Sequence, residues 1–169
     1  MVGVNERLLR GSEYPDDTGE ATPLLAAALA GYAADESRYT DVLAALAGSR
    51  VLVPVVAVLG EVELDAAGLA RDKSSDMAAV LLRGVDGRSG LLAFSSTATL
   101  SAWNPEGRPV PVPTRTAALS ALQEGAAALV VDVAGPVTIA VEGEDLRALA
   151  AGWRLARVGE RVGWVAPPD

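Results

Sequence analysis

Apolar positions recur at helical spacing in two early segments, then alternate or run together through most of the remaining chain. From Thr22-Pro23 onward, Leu24, Leu25, Ala28 and Leu29 share one helical face. Thr22 predicts the cap of this helix, Pro23 its first turn and Gly31 its stop. A second helix should follow, capped by Asp35 or Ser37, with Tyr39, Val42, Leu43 and Leu46 as its apolar stripe and Gly48 as its end. The β-branched run Arg50–Val58 reads as a buried strand, and Pro54 inside it predicts an edge position or a bulge.

The stretch LDAAGLARDKSSD reads as an exposed loop, and residues 77–82 and 91–94 as two strands. Asp86-Gly87 between them favours a tight reversing turn, so the pair should be a hairpin. Ser95 and Ser96 predict the cap of a short helix ending at Trp103 and closed by Asn104-Pro105. GRPVPVP is too proline-rich for regular structure. Thr114–Gln123 is a third periodic helix, with Ala118, Leu119 and Leu122 facing in and Gly125 as its stop. Residues 127–133 and 137–141 predict strands on either side of Ala134-Gly135-Pro136. Glu142, Glu144 and Asp145 suit the positive end of a helix over 142–151, closed by Gly152. Residues 153–158 and 161–165 form a last hairpin around Gly159-Glu160. The pattern predicts an α+β (mixed α/β) fold: a single central mixed β-sheet with hairpins, flanked by short Ala/Leu-rich helices. Residues 1–20 are polar and aperiodic, a flexible tail or a docked arm.

At 169 residues, half of them hydrophobic, the chain fits one domain with a self-sufficient core built from alanine, leucine and valine. Fourteen basic against 22 acidic residues give a net charge of −8. Phosphate backbones and anionic lipids repel such a chain, so neither nucleic acid nor a membrane surface is an expected partner. No apolar run approaches about 18 residues. The N-terminus is too polar for a signal peptide, so a cytoplasmic location is the default. Lys73 is the only lysine, an Arg-over-Lys bias that a GC-rich genome produces.

Histidine and cysteine are absent, which excludes histidine-based triads and zinc centres. Asp72 precedes Lys73, so no phosphate-gripping loop is present. Gly84, Gly87 and Gly90 lie between strands and read as a hairpin turn, not a dinucleotide fingerprint. Glu61, Glu63 and Asp65 alternate and would share one face of an extended backbone. They could bind Ca²⁺ or Mg²⁺, but protection of a sheet edge explains them better. Lys73-Ser74-Ser75 would need a desolvated lysine to act as a dyad, and its surroundings are charged. No cofactor and no metal site is expected.

Residues 90–103, GLLAFSSTATLSAW, hold the only phenylalanine and one of three tryptophans. Core packing explains Leu91, Leu92, Phe94, Leu100 and Trp103 as inward-facing residues. A second reading makes the strand end and helix start a polar-lipped pocket with Trp103 as an anchor. The candidate partner- or ligand-binding residues are therefore Phe94, Ser95, Ser96, Trp103 and Asn104.

The same segment carries a family resemblance. L-x-A-F-[ST]-S followed by an aromatic-ending helix resembles the signature of the SseB family N-terminal domain. VLVPVV after two Ala/Leu helices, then GAAALVVDVAGP and EDLRALAAG, agree with it in order over residues 22–152. Ser95 stands where many relatives have threonine, and Asp132-Val133 where the family more often reads Asn-Pro. The resemblance implies a bacterial module standing alone, residues 21–169, after a tail at 1–20. A type III secretion translocon component shares the name, but this sequence has none of the long coiled-coil helices that role needs. The family supplies no reaction to carry over. The expectation is a non-catalytic module that binds a protein partner or small ligand through the Phe94–Ser96 corner, Trp103 and the PVPVP loop. The alternative is a carboxylate-dependent small enzyme or metal-dependent hydrolase using the acids at 61–65 or Asp132. A third is a homodimer joined through hairpin edges.

Overall fold

The computed structural model describes residues 14–58, 63–64, 70–71 and 76–169, with the backbone alone at 56–58, 63–64, 70–71 and 76–78. Pro23 opens α1 (Pro23–Ala34), as its fixed φ favours. Thr22 precedes it, but its hydroxyl pairs with Ser49 Oγ at 2.9 Å instead of capping the helix. Gly31 does not end α1. The Arg38 guanidinium lies where a Cβ at position 31 would stand, so glycine there makes room for a side chain. The helix closes at Asp35, whose carboxylate accepts the Ser37 N–H and starts a single 3₁₀ turn, Glu36–Arg38. The buried face of α1 is narrower than its periodicity suggests: Leu25 and Ala28 are buried, whereas Leu24 is 66% exposed. In α2 (Tyr39–Ala47), Val42, Leu43 and Leu46 are buried and Gly48 follows, as predicted.

The expected central sheet is built in two parts. β1 (Arg50–Val58) lies between β4 (Asp76–Ala79) and β7 (Arg108–Pro113), both antiparallel to it. β5 (Leu81–Arg83), β6 (Ser89–Ala93), β8 (Ala128–Val131) and β9 (Ile139–Glu142) form the second part, with β6 and β8 parallel. A bridge between Leu52 and Phe94 joins the two. The predicted strand at 77–82 is thus divided at Val80: its first half pairs with β1 and its second forms the predicted hairpin with β6. β2 (Glu63–Leu64) and β3 (Ala70–Arg71) pair across the first part of the stretch expected to be a loop, with Glu63 just before it. Glu61, Asp65, Lys73, Ser74 and Ser75 lie outside the described residues.

Two proline expectations are corrected. β1 has neighbours on both sides, yet Pro54 costs no ladder bond. Leu52 exchanges both backbone bonds with Phe94, and alternation turns position 54 to that same side, where pairing with β4 begins only at Val55. GRPVPVP, expected to be irregular, is the edge strand β7. Val110 and Val112 pair with Val53 and Val51, so Pro109, Pro111 and Pro113 all turn their donor-free nitrogens outward.

Strand alternation sorts the core into two clusters. Val51, Val53, Leu91 and Ala93 face one side, where they meet α1, α2, α4 (Thr114–Gln123) and α5 (Gly143–Ala150). Leu52, Leu92 and Phe94 face the other side and pack on Leu100 of α3 (Thr97–Trp103). In α4 the buried apolar positions are Ala117, Ala118 and Ala121, while Leu122, expected inside, is exposed. The Glu142 side chain does not cap α5; it pairs with Arg88, in the β5–β6 connection, at 3.1 Å. The hairpin of β10 (Arg154–Val158) and β11 (Arg161–Val165) packs Leu155 and Trp164 on the main cluster, and Trp164 Nε1 donates to Asp145. The fold is α+β, as its pattern predicts.

Candidate functional site

Parallel pairing of β6 and β8 brings two chain ends to one place. Both strands run out at the same edge, and the Asp132 N–H donates to the Ala93 carbonyl at 3.0 Å as the last rung. Crevices outside the carboxyl ends of parallel strands are where open α/β sheets hold ligands. Here the two ends deliver Ser95 and Asp132.

Asp132 adopts a φ of +57°, a left-handed conformation that aspartate tolerates better than most side chains. Asp132 is 1% exposed, and its carboxylate takes three donors among the described residues. The Ser95 N–H (2.8 Å) and the Thr99 hydroxyl (2.7 Å) reach Oδ1, and the Ser95 hydroxyl (2.6 Å) reaches Oδ2. The Thr99 hydroxyl is shared between Asp132 and the Ser96 carbonyl, which it meets at 3.0 Å, while its oxygen accepts the Ser96 N–H at 3.3 Å. Ser96 in turn accepts the Thr99 N–H, completing a capping box on α3. The start of this short helix therefore places the Thr99 donor, and Ser95, the residue before the cap, supplies the other two.

A buried arginine holds the site from behind. Arg50 Nη1 donates to the Ser95 carbonyl at 2.7 Å, while Nε and Nη2 grip Asp17 as a bidentate pair and Nη2 also reaches the Glu20 carbonyl. These bonds, with a Thr97 N–H to Gly19 carbonyl bond, dock residues 17–20 against the sheet. The Arg50 hydrogen bonds hold the Asp17 carboxyl below its ordinary range.

Above Asp132 opens a cleft of about 320 Å³. Ala26, Leu29, Ala30 and Ala33 of α1 form one wall, Pro136 and Val137 the other. Ser95, Thr99 and Asp132 supply its polar floor. An apolar enclosure with a few convergent polar groups is the usual form of a small-molecule site, and this volume sits at the small end of that class.

A family model for the SseB protein N-terminal domain matches residues 25–148, from within α1 to within α5. The chain belongs to the SseB N-terminal domain family. Neither a curated protein nor a solved structure matches the chain. All of the cleft's floor and every lining residue but Ala21 fall within the SseB match, and the β10–β11 hairpin falls outside it.

The SseB signature segment divides at the end of β6. Ser95 belongs to the cleft floor, and Ser96 stands one step behind it, capping α3. Phe94 is 0% exposed and points the opposite way, into the second core cluster. Trp103 is partly buried against it, with ring centroids 5.6 Å apart. Asn104 closes α3, and its side chain accepts the Glu106 N–H at 3.0 Å. Sequence reasoning weighed Asp132 only as a metal ligand and passed over Thr99 and the wall of α1. The wall did leave a signal: Ala26, Ala30 and Ala33 repeat at helical spacing on the face that Leu24 and Leu25 do not use.

Proposed function

We propose that this SseB domain is a non-catalytic binding module whose ligand is a small molecule held in the cleft between α1 and the ends of β6 and β8. One observation carries the reading: an aliphatic enclosure of about 320 Å³ ends on a buried, fully oriented carboxylate. The groups that could act chemically are committed to one another. The Ser95 hydroxyl donates to Asp132, and no histidine exists in the chain to carry its proton onward. A site built this way orients a ligand without activating it. Among the described residues no helix is long and apolar enough to cross a membrane, and the reading needs none.

The test fills the cleft from its exposed wall. Ala30 sits on the outer surface of α1, where leucine is a good helix former and its side chain would occupy the enclosure. Ligand-observed NMR with a library of small fragments should give binders to the parent chain that Ala30→Leu no longer holds. A set of binders unchanged in Ala30→Leu would place binding elsewhere and end the proposal.

A further inference from the structure

Resting on that reading of the cleft, we propose that its ligand is a small primary amine, with an ammonium head on Asp132 and a short alkyl body along α1. The argument begins with what Asp132 lacks. Its three partners, the Ser95 N–H, the Ser95 hydroxyl and the Thr99 hydroxyl, are all neutral donors. Among the described residues the ion pairs join Arg38 to Asp41, Arg50 to Asp17 and Arg88 to Glu142, and none reaches Asp132. Arg50 comes nearest along the network, but it meets the Ser95 carbonyl, and its charge is already engaged by Asp17. A carboxylate this deeply buried is thus oriented by dipoles and left without a counter-ion. Burying a charge in that state is costly unless a cation arrives.

Asp132 lines the cleft and keeps an acceptor position to spare. A carboxylate offers about four acceptor positions. Two on Oδ1 and one on Oδ2 are occupied, which leaves a position on Oδ2 beside the cleft that Asp132 lines. An alcohol could fill that position; an ammonium would fill it and neutralise the charge. A carboxylate ligand would be repelled. The remaining lining is alanine, leucine, proline and valine and offers no side-chain hydrogen-bonding group to the rest of the ligand, so its body should be aliphatic.

Amide-resolved NMR titration of the full chain at neutral pH tests this with three matched probes: n-butylammonium, n-butanol and n-butyrate. The amine should shift the Ser95 and Asp132 amides with an affinity on the order of ten-fold above butanol, the gain expected of a charge-assisted over a neutral hydrogen bond. Butyrate should leave both amides in place. Asp132→Asn keeps a side chain that tolerates positive φ and can still accept from Ser95, so it should lose the preference for amine over alcohol. Ala30→Leu should abolish binding of both, and it keeps the test decisive should Asp132→Asn fail to fold. Butanol binding within two-fold of the amine, with both lost in Ala30→Leu, would overturn the amine while leaving the cleft as a site. Amide shifts unchanged in Ala30→Leu would mean that the acidic surface merely attracts cations, which overturns the amine at this site. No shift with any probe would overturn both the amine and the cleft.

Discussion

The Ser95 hydroxyl donates to Asp132 Oδ2 at 2.6 Å, joining residues 37 positions apart. Ser95 also gives Asp132 its backbone N–H, so one residue supplies two of the three bonds to a buried carboxylate. Ser95→Ala should cost about 2 kcal/mol, because it strips Oδ2 of its one donor among the described residues while the charge stays buried. Thr99→Ser keeps the hydroxyl that serves Oδ1 and the capping box, and should cost less than about 1 kcal/mol. Urea unfolding of the two variants, compared by midpoint at unchanged slope, checks the order.

Asp17 and Arg50 make the docking of residues 17–20 sensitive to acid. The hydrogen bonds from Arg50 lower the Asp17 carboxyl below 3.8, with the Gly19 N–H adding to the effect. A depressed folded-state value means stability that is fully present above the unfolded value and lost as pH falls through the folded one. Stability should therefore be level near neutrality and fall below about pH 4 in part through Asp17. Asp17→Asn should start less stable at neutral pH and show a shallower acid limb. Thermal melts of both chains between pH 2 and 7 would expose parallel limbs if the pair contributes nothing.

Local signals were legible in the sequence wherever a few adjacent residues decide the outcome. The Asp86-Gly87 turn, the Ser96 cap and the Gly48 stop needed nothing distant, and all stand. Gly31 misled because its reason is Arg38, a side chain one element away. GRPVPVP misled for a different cause: its period-2 alternation was visible, but only the partner strand shows that every proline nitrogen points away from β1. The floor of the cleft was half legible. Ser95 lay in a segment already marked by its aromatic residues, whereas its pairing with Asp132 depends on the parallel register of β6 and β8, which no local pattern encodes.

Tyr39 predicts an alkaline transition. Its hydroxyl donates to the Ala140 carbonyl at 3.3 Å, and burial, followed by the charges of Asp145 and Glu142, pushes it up to about 12. A raised value favours the folded state while the phenol keeps its proton. That contribution is complete below pH 10 and is lost as pH rises towards 12. Absorbance titration at the phenolate band should find one group ionising near pH 12. Tyr39→Phe should remove that step and flatten the loss of stability above pH 10.

The prolines of β7 should keep this edge from pairing with another chain. Pro109 and Pro111 present no N–H along the outer side of an edge strand. Replacing both with valine restores two outward donors on a strand of high β-propensity while leaving the Val110 and Val112 rungs intact. The double variant should raise the weight-average mass in sedimentation velocity as concentration increases, with an unfolding midpoint near that of the parent. A mass profile identical to the parent's would show that the edge is protected by something other than proline.

Trp103 separates packing from binding at this corner. It covers Phe94 at a 32° interplanar angle, and Phe94 with Leu52, Leu92 and Leu100 forms the smaller core cluster. None of these four core residues lines the cleft, because Phe94 and Ser95 leave β6 in opposite directions. Trp103→Ala should cost about 2 kcal/mol, less than a fully buried tryptophan because part of the ring already meets solvent. The same variant should retain the cleft, so fragments that bind the parent should bind it with unchanged affinity under conditions where it is folded. Ser95→Ala should do the reverse in kind, altering the floor that the fragments touch. If Trp103→Ala weakens those fragments while Ser95→Ala does not, the site lies on the α3 face of the corner, and the cleft under α1 is not where ligands are held.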